Sequence, residues 1–198
     1  MAQIGLTNLW YGLLTEAEDG TPSYAGAKSF GKAVSAKVDV STNDATLYAD
    51  DVLVESDKSF QNAKVTLGVA DDDMTIFAEI LGHTVAESGG EMARSADDAA
   101  PWVGLGRVVT KMVNGKYVYK GEFLYKVRFA EPSQEDNTKG ESVDFSTPEI
   151  EGTAATLANG DWSAAQVFDT KAKAVEWVKG KLAAKAAHAS VTAKTSQD

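Results

Sequence analysis

The chain has 198 residues, 43% of them hydrophobic, and a formal net charge of −10. That length supports one domain with a real core, and no apolar run is long enough to cross a membrane as a helix. Cysteine is absent, which excludes a disulfide framework and a thiolate metal site and suits a reducing compartment. The charge is uneven. Lys171, Lys173, Lys179, Lys181, Lys185 and Lys194 stand against only Glu176 and Asp198, so residues 1–170 carry a net −14. A body this acidic is not expected to grip nucleic acid, which needs clustered Lys and Arg.

Taken in order, the chain alternates at period two. The opening MAQIGLTNLWYGLL lacks a basic start and a small-residue cleavage site. It is therefore expected to enter the fold directly, with Ile4 to Leu14 as a strand. Val34, Ala36, Val38 and Val40 alternate with Ser35, Lys37 and Asp39, and Ala63, Val65, Leu67 and Val69 alternate with Asn62, Lys64, Thr66 and Gly68. Both read as strands with one buried face. Between them, 41–58 is a long connection with Leu47, Tyr48, Val52, Leu53 and Val54 in its middle. A solvent loop has little use for such residues, so the segment reads as a hairpin arm that contacts something.

Asp71, Asp72 and Asp73 precede Met74, Phe77, Ile80 and Leu81 at helical spacing, and Gly82 follows. Carboxylates at the positive end of the helix dipole and a left-handed glycine stop predict a short helix over 73–81 that packs Met74, Phe77, Ile80 and Leu81 on a sheet. Trp102 to Val113 is apolar on both sides. Asn114-Gly115 suits a two-residue type I′ turn, and the next run places Tyr117, Tyr119, Phe123, Tyr125, Val127 and Phe129 on one face. The stretch 102–129 is predicted to be a β-hairpin. Residues 131–141 are polar and read as a loop. A late strand is expected to begin at Val143–Thr147 and to resume at Ile150. Val175, Val178 and Leu182 mark a helix over 170–187, weakened at Gly180 by about 1 kcal/mol relative to Ala. Residues 188–198 read as a disordered tail.

Chemistry is sparse. His83 and His188 are the two histidines, and neither belongs to a ligand pair. His83, directly after the helix stop, reads as a hydrogen-bonding end group. There is no GxSxG and no P-loop, and Gly104-Leu105-Gly106 sits inside a strand without the third glycine of a dinucleotide motif. The acidic pairs match no spaced calcium loop, and no pair of carboxylates stands out as a glycosidase pair. The expectation is a protein that is not an enzyme, with no catalytic residue, no metal and no cofactor.

Five blocks stand in order: IGLTNLWYGLLT at 4–15, DATLYADD at 44–51, VADDDMTIFAEILGHTV at 69–85, DDAAPWVGLG at 97–106 and TKGESVDFSTPEIEGT at 138–153. Together they resemble the major tail proteins of long non-contractile-tailed phages of Gram-positive bacteria. The resemblance implies a mainly β tail-tube fold, a β-sandwich or barrel with one short flanking helix, over residues 1–160. The C-terminal segment at 161–187, read as a helical extension, has no counterpart in the family.

The resemblance further implies a virion protein of the phage tail, assembled in the host cytoplasm. Copies would close into hexameric rings and stack into a tube. It would meet a tape measure protein in the lumen and tail-tip and tail-terminator proteins at the ends, and DNA would pass in transit without specific binding or any membrane contact. On this reading Leu47, Tyr48, Ala49, Asp50, Asp51 and Val52 form the inter-ring contact arm. The candidates for the lumen face are Ser35, Lys37, Asp39, Asn62, Lys64 and Thr66, two of which are lysines. The competing readings are a β-sandwich module that binds carbohydrate on a cell surface or decorates a particle, an unrecognised hydrolase, and a subunit of another tube-like injection machine.

Overall fold

A computed structural model describes residues 2–49, 52–70, 73–86, 90–133 and 148–183. The expectations for Asp50, Asp51, Asp71, Asp72, the polar loop beyond residue 133, a strand at 143–147 and the segment 184–198 lie outside these residues.

The fold is built around the hairpin of β10 (Val103–Val113) and β11 (Lys116–Phe129). Asn114 and Gly115 link them at φ of 49° and 77°, the paired positive values that a type I′ turn requires. Strand β1 (Ala2–Glu16) pairs antiparallel with β10. On the far edge of β11, residues 119–124 pair with β13 (Ser163–Phe168) and residues 127–129 with β12 (Glu149–Ala154). Strand β12 then pairs with β7 (Phe60–Val69), and β7 with β4 (Ala33–Thr42). Short strands β2 (Pro22–Tyr24) and β3 (Lys28–Ser29) add to β1, and β8 (Thr84–Val85) pairs with β9 (Met92–Ala93). The protein is mainly β, as expected, with one large antiparallel sheet.

The sheet folds back on itself, so that β7 and β12 meet β1, β10 and β11 across one core. Ala63, Val65, Leu67 and Val69 of β7 are all fully buried there, which is the alternation read in the sequence. Helix α1 (Met74–Leu81) closes this core with Phe77, Ile80 and Leu81. Asp73 caps it through the Thr75 amide, and Gly82 ends it at φ 81°. Each large apolar side chain buried here stabilises the fold by about 1.5–3 kcal/mol. Met74 corrects the predicted packing face, because it is 44% exposed. The buried stripe runs through 77, 78, 80 and 81 with Ile76 half-buried, and Met74 in the first turn extends beyond it.

A second correction concerns β11. Its tyrosines and phenylalanines do not share one face. A bulge sets Val103 opposite Val127 but Leu105 opposite Leu124, which inserts one extra residue into β11. Because side chains alternate with period two, one extra residue exchanges the faces. Val127 and Phe129 enter the sandwich core beside Leu124, while Tyr119 packs against α2 (Lys171–Ala183) on the outer side. Tyr117 is 56% exposed.

Helix α2 lies on that outer side through Ala174, Val178 and Leu182. Gly106 makes the approach possible, since a Cβ there would sit 2.2 Å from Val178 Cγ1. The expected helical extension at 161–187 is corrected in its first part: 163–168 is a strand, and it belongs to the main sheet. Among the described residues, no helix is long and apolar enough to cross a membrane.

Candidate functional site

The described residues between 33 and 69 form a β-ribbon of two successive antiparallel pairings. Strands β4 and β7 pair from Ala33↔Val69 to Thr42↔Phe60. The Asn43 amide then donates to the Ser59 carbonyl at 2.9 Å, and Asn43 Nδ2 to Ser59 Oγ at 3.1 Å. Beyond this link, β5 (Ala45–Ala49) pairs with β6 (Val52–Asp57), from Ala45↔Asp57 to Ala49↔Val52, with a bulge between Leu47 and Tyr48. The segment 41–58 is thus a hairpin, with Leu47, Tyr48, Ala49 and Val52 on its strands.

The outer face of the ribbon's base is polar. Lys37 stands opposite Thr66, Asp39 opposite Lys64, and Ser35 opposite Gly68. Strand β12 continues the surface with Glu151 opposite Thr66 and Thr153 opposite Lys64. The structure therefore brings Ser35, Lys37, Asp39, Asn62, Lys64 and Thr66 onto one sheet face, since the intervening residues of β7 point into the core. Both lysines on it are paired: Lys37 Nζ lies 2.8 Å from Asp39 and Lys64 Nζ 2.7 Å from Glu151. With Glu149 also on this surface, the face carries no excess of positive charge.

The sandwich interior, beside the base of the ribbon, holds a charged centre that sequence reasoning missed. Arg107 Nε and Nη2 both lie 2.6 Å from Glu122 Oε2, and Lys120 binds the other carboxylate oxygen. Burial pushes the Glu122 carboxyl up, but the Lys120 hydrogen bond and the Arg107 charge outweigh it and hold the group below its ordinary value. Arg107 Nη1 also donates to the Ala36 carbonyl of β4 at 2.9 Å, which ties the two layers together. The available signal was Arg107 itself, a cation inside a run apolar on both sides; a charge there requires a partner.

His83 is a clamp. Its amide and that of Gly82 both donate to the Ala78 carbonyl at the helix end. Its side chain is 4% exposed, with Nδ1 2.7 Å from Asp98 Oδ2 and Nε2 bound to Glu131. The Asp98 carboxyl is held low by the Ser95 amide first and by His83 second. Three segments distant in sequence are thereby joined, and both ring nitrogens are occupied. Among the described residues, no group of three or more His, Cys, Asp or Glu side chains is placed to hold a metal ion.

Compared with models of known protein families and with curated proteins, the chain matches none.

Proposed function

We propose that this chain is a structural subunit that assembles with itself into stacked six-membered rings, forming the tube of a long phage tail. The observation that carries the reading is the 33–69 ribbon. Its base is locked into the sandwich through β7, and its outer half extends the chain into a hairpin with apolar sequence. An extension of this kind supports a contact between copies that is heterologous, and such contacts close laterally and stay open axially. The polar face of β4, β7 and β12 is the proposed lumen wall. Its paired lysines favour passage of a polyanion over capture, because phosphate binding needs uncompensated cations.

On this reading the protein is not a catalyst, and its partners are further copies, a tape measure protein in the lumen, terminal proteins at the tube ends and DNA in transit. Its place is the virion tail. The test is negative-stain electron microscopy of the purified, concentrated chain, with rings or hollow tubes as the expected result. A double substitution Leu47→Asp/Tyr48→Asp is expected to leave folded subunits that make none. A chain that stays small in size-exclusion chromatography at every concentration overturns the tube reading in favour of a single-copy carbohydrate-binding module.

A further inference from the structure

Among the described residues, β4 and β13 of the main sheet each keep a bare edge. Strand β4 pairs only with β7, and β13 pairs only with β11. Both border the same apolar cavity of about 200 Å³, Ala36 and Val38 from one side and Ser163 to Ala165 from the other. The sandwich is therefore open along a seam between these strands. Arg107 bridges it at the Ala36 carbonyl, and Phe60 stacks on Trp162 at 4.4 Å beside it.

Alternation carries the apolar lining past the cavity. Val40 follows Ala36 and Val38 on β4, and Val167 follows Ser163 and Ala165 on β13, with no bulge in either stretch. Val40 is nevertheless 49% exposed and Val167 57%. Valines on the inward face of a sandwich strand are normally covered, so here they are uncovered lips at the two ends of the slot. The cavity is smaller than the roughly 300–1,000 Å³ of a small-molecule pocket. A narrow apolar slot flanked by bare backbone edges suits an added strand, which satisfies the edge groups while its side chains fill the slot.

We propose that the seam between β4 and β13 receives the 45–57 hairpin of a second copy of this chain. The proposal rests on the tube reading above and names the surface that the arm meets. Three observations select this occupant. The segment 44–57 contains Asp44, Asp50, Asp51, Glu55 and Asp57 with no Lys or Arg, whereas the slot presents Arg107 and Lys120 against the single carboxylate of Glu122. It also contains the apolar run Val52, Leu53, Val54, which matches an apolar slot. Lastly, the hairpin does not fill the seam of its own chain: among the described residues β5 and β6 pair only with each other, as a sheet separate from β4 and β13. The contact is head to tail, with the arm of one copy in the seam of the next.

The chain has no cysteine, so engineered thiols report the contact cleanly. Val167→Cys would be combined with Leu47→Cys or, separately, with Tyr48→Cys, because neighbouring strand residues face opposite ways. Val40→Cys serves as a second acceptor on the β4 side, and Ile4→Cys, 51% exposed on β1 and separated from β13 by β10 and β11, is the control. The concentrated full chain is mildly oxidised, and the same sample is read on a non-reducing gel and by electron microscopy. A disulfide forms only when the two Cα atoms come within about 7 Å. The expected result is a ladder of covalent oligomers from a lip position with one arm position, at least about tenfold above the Ile4→Cys control. Tubes or rings without that ladder overturn the seam contact and leave the tube reading standing. A ladder without rings or tubes upholds the seam contact and overturns the tube reading. A chain that remains monomeric with no ladder overturns both.

Discussion

Arg107 Nη1 reaches across the open side of the sandwich to the Ala36 carbonyl at 2.9 Å, while the rest of its guanidinium grips Glu122. One side chain thus joins β10, β11 and β4. Arg107→Met removes both ties and leaves Glu122 with Lys120 alone. Because the pair is only partly buried, the expected cost is about 1–3 kcal/mol, read as a lower midpoint in urea. Arg107→Lys keeps the charge but loses the planar fork, and should fall between the two.

Acid should weaken the fold through Glu122 and Glu16. The Lys126 hydrogen bond lowers Glu16 against the effect of burial, with help from the Ala158 amide. Glu122 is likewise held below its ordinary value of 4.5. A carboxyl lowered by folding adds stability that is complete above its unfolded value and is lost as pH falls through the folded one. The urea midpoint should hold steady down to about pH 5 and then decline as pH falls below the unfolded glutamate value. In Glu122→Gln the decline should be shallower, and an unchanged slope would remove Glu122 from this account.

Gly106 sets the distance between α2 and the sheet. A methyl group in place of its hydrogen meets Val178 at 2.2 Å and Phe123 at 3.3 Å. Gly106→Ala is expected to push the helix outward at a cost of about 1–3 kcal/mol. Trp177 lies on α2 beside Phe168, with ring centroids 6.0 Å apart. Its fluorescence and the rate of proteolysis within 171–183 should therefore both change, while the sandwich core keeps its far-ultraviolet signature.

His83→Ala leaves Asp98 and Glu131 facing a gap where the ring had joined them. The loss of two hydrogen bonds to carboxylate partners predicts a lower urea midpoint. Hydrogen exchange should quicken at 83–86 and 95–98, the segments that the ring tethers. The β10–β11 hairpin should keep its protection, since its ladder does not involve the clamp.

Much of this architecture is local, and the sequence was sufficient for it. Asn114-Gly115 specifies the hairpin because few other dipeptides accept two positive φ values. Asp73 and Gly82 bound α1 because its orphan amides and carbonyls need those caps. Strand β7 alternates cleanly because one face is wholly buried. The apolar content of 41–58 marked a hairpin whose backbone pairing the structure displays.

Other features were settled only by contacts between distant parts of the chain. The bulge that exchanges the faces of β11 depends on its register with β10, not on any residue in the run. Strand β13 escaped notice because Ser163 to Phe168 holds small residues with little alternation; it is a strand because β11 offers it an edge. His83 acquires its role from Glu131, 48 positions away. Arg107 acquires its own from Ala36, 71 positions away. Periodicity and caps act within a few residues, so a sequence can display them directly. Register, the choice of edge and the pairing of buried charge depend on which surfaces meet, and that is decided when the sheet closes on its core.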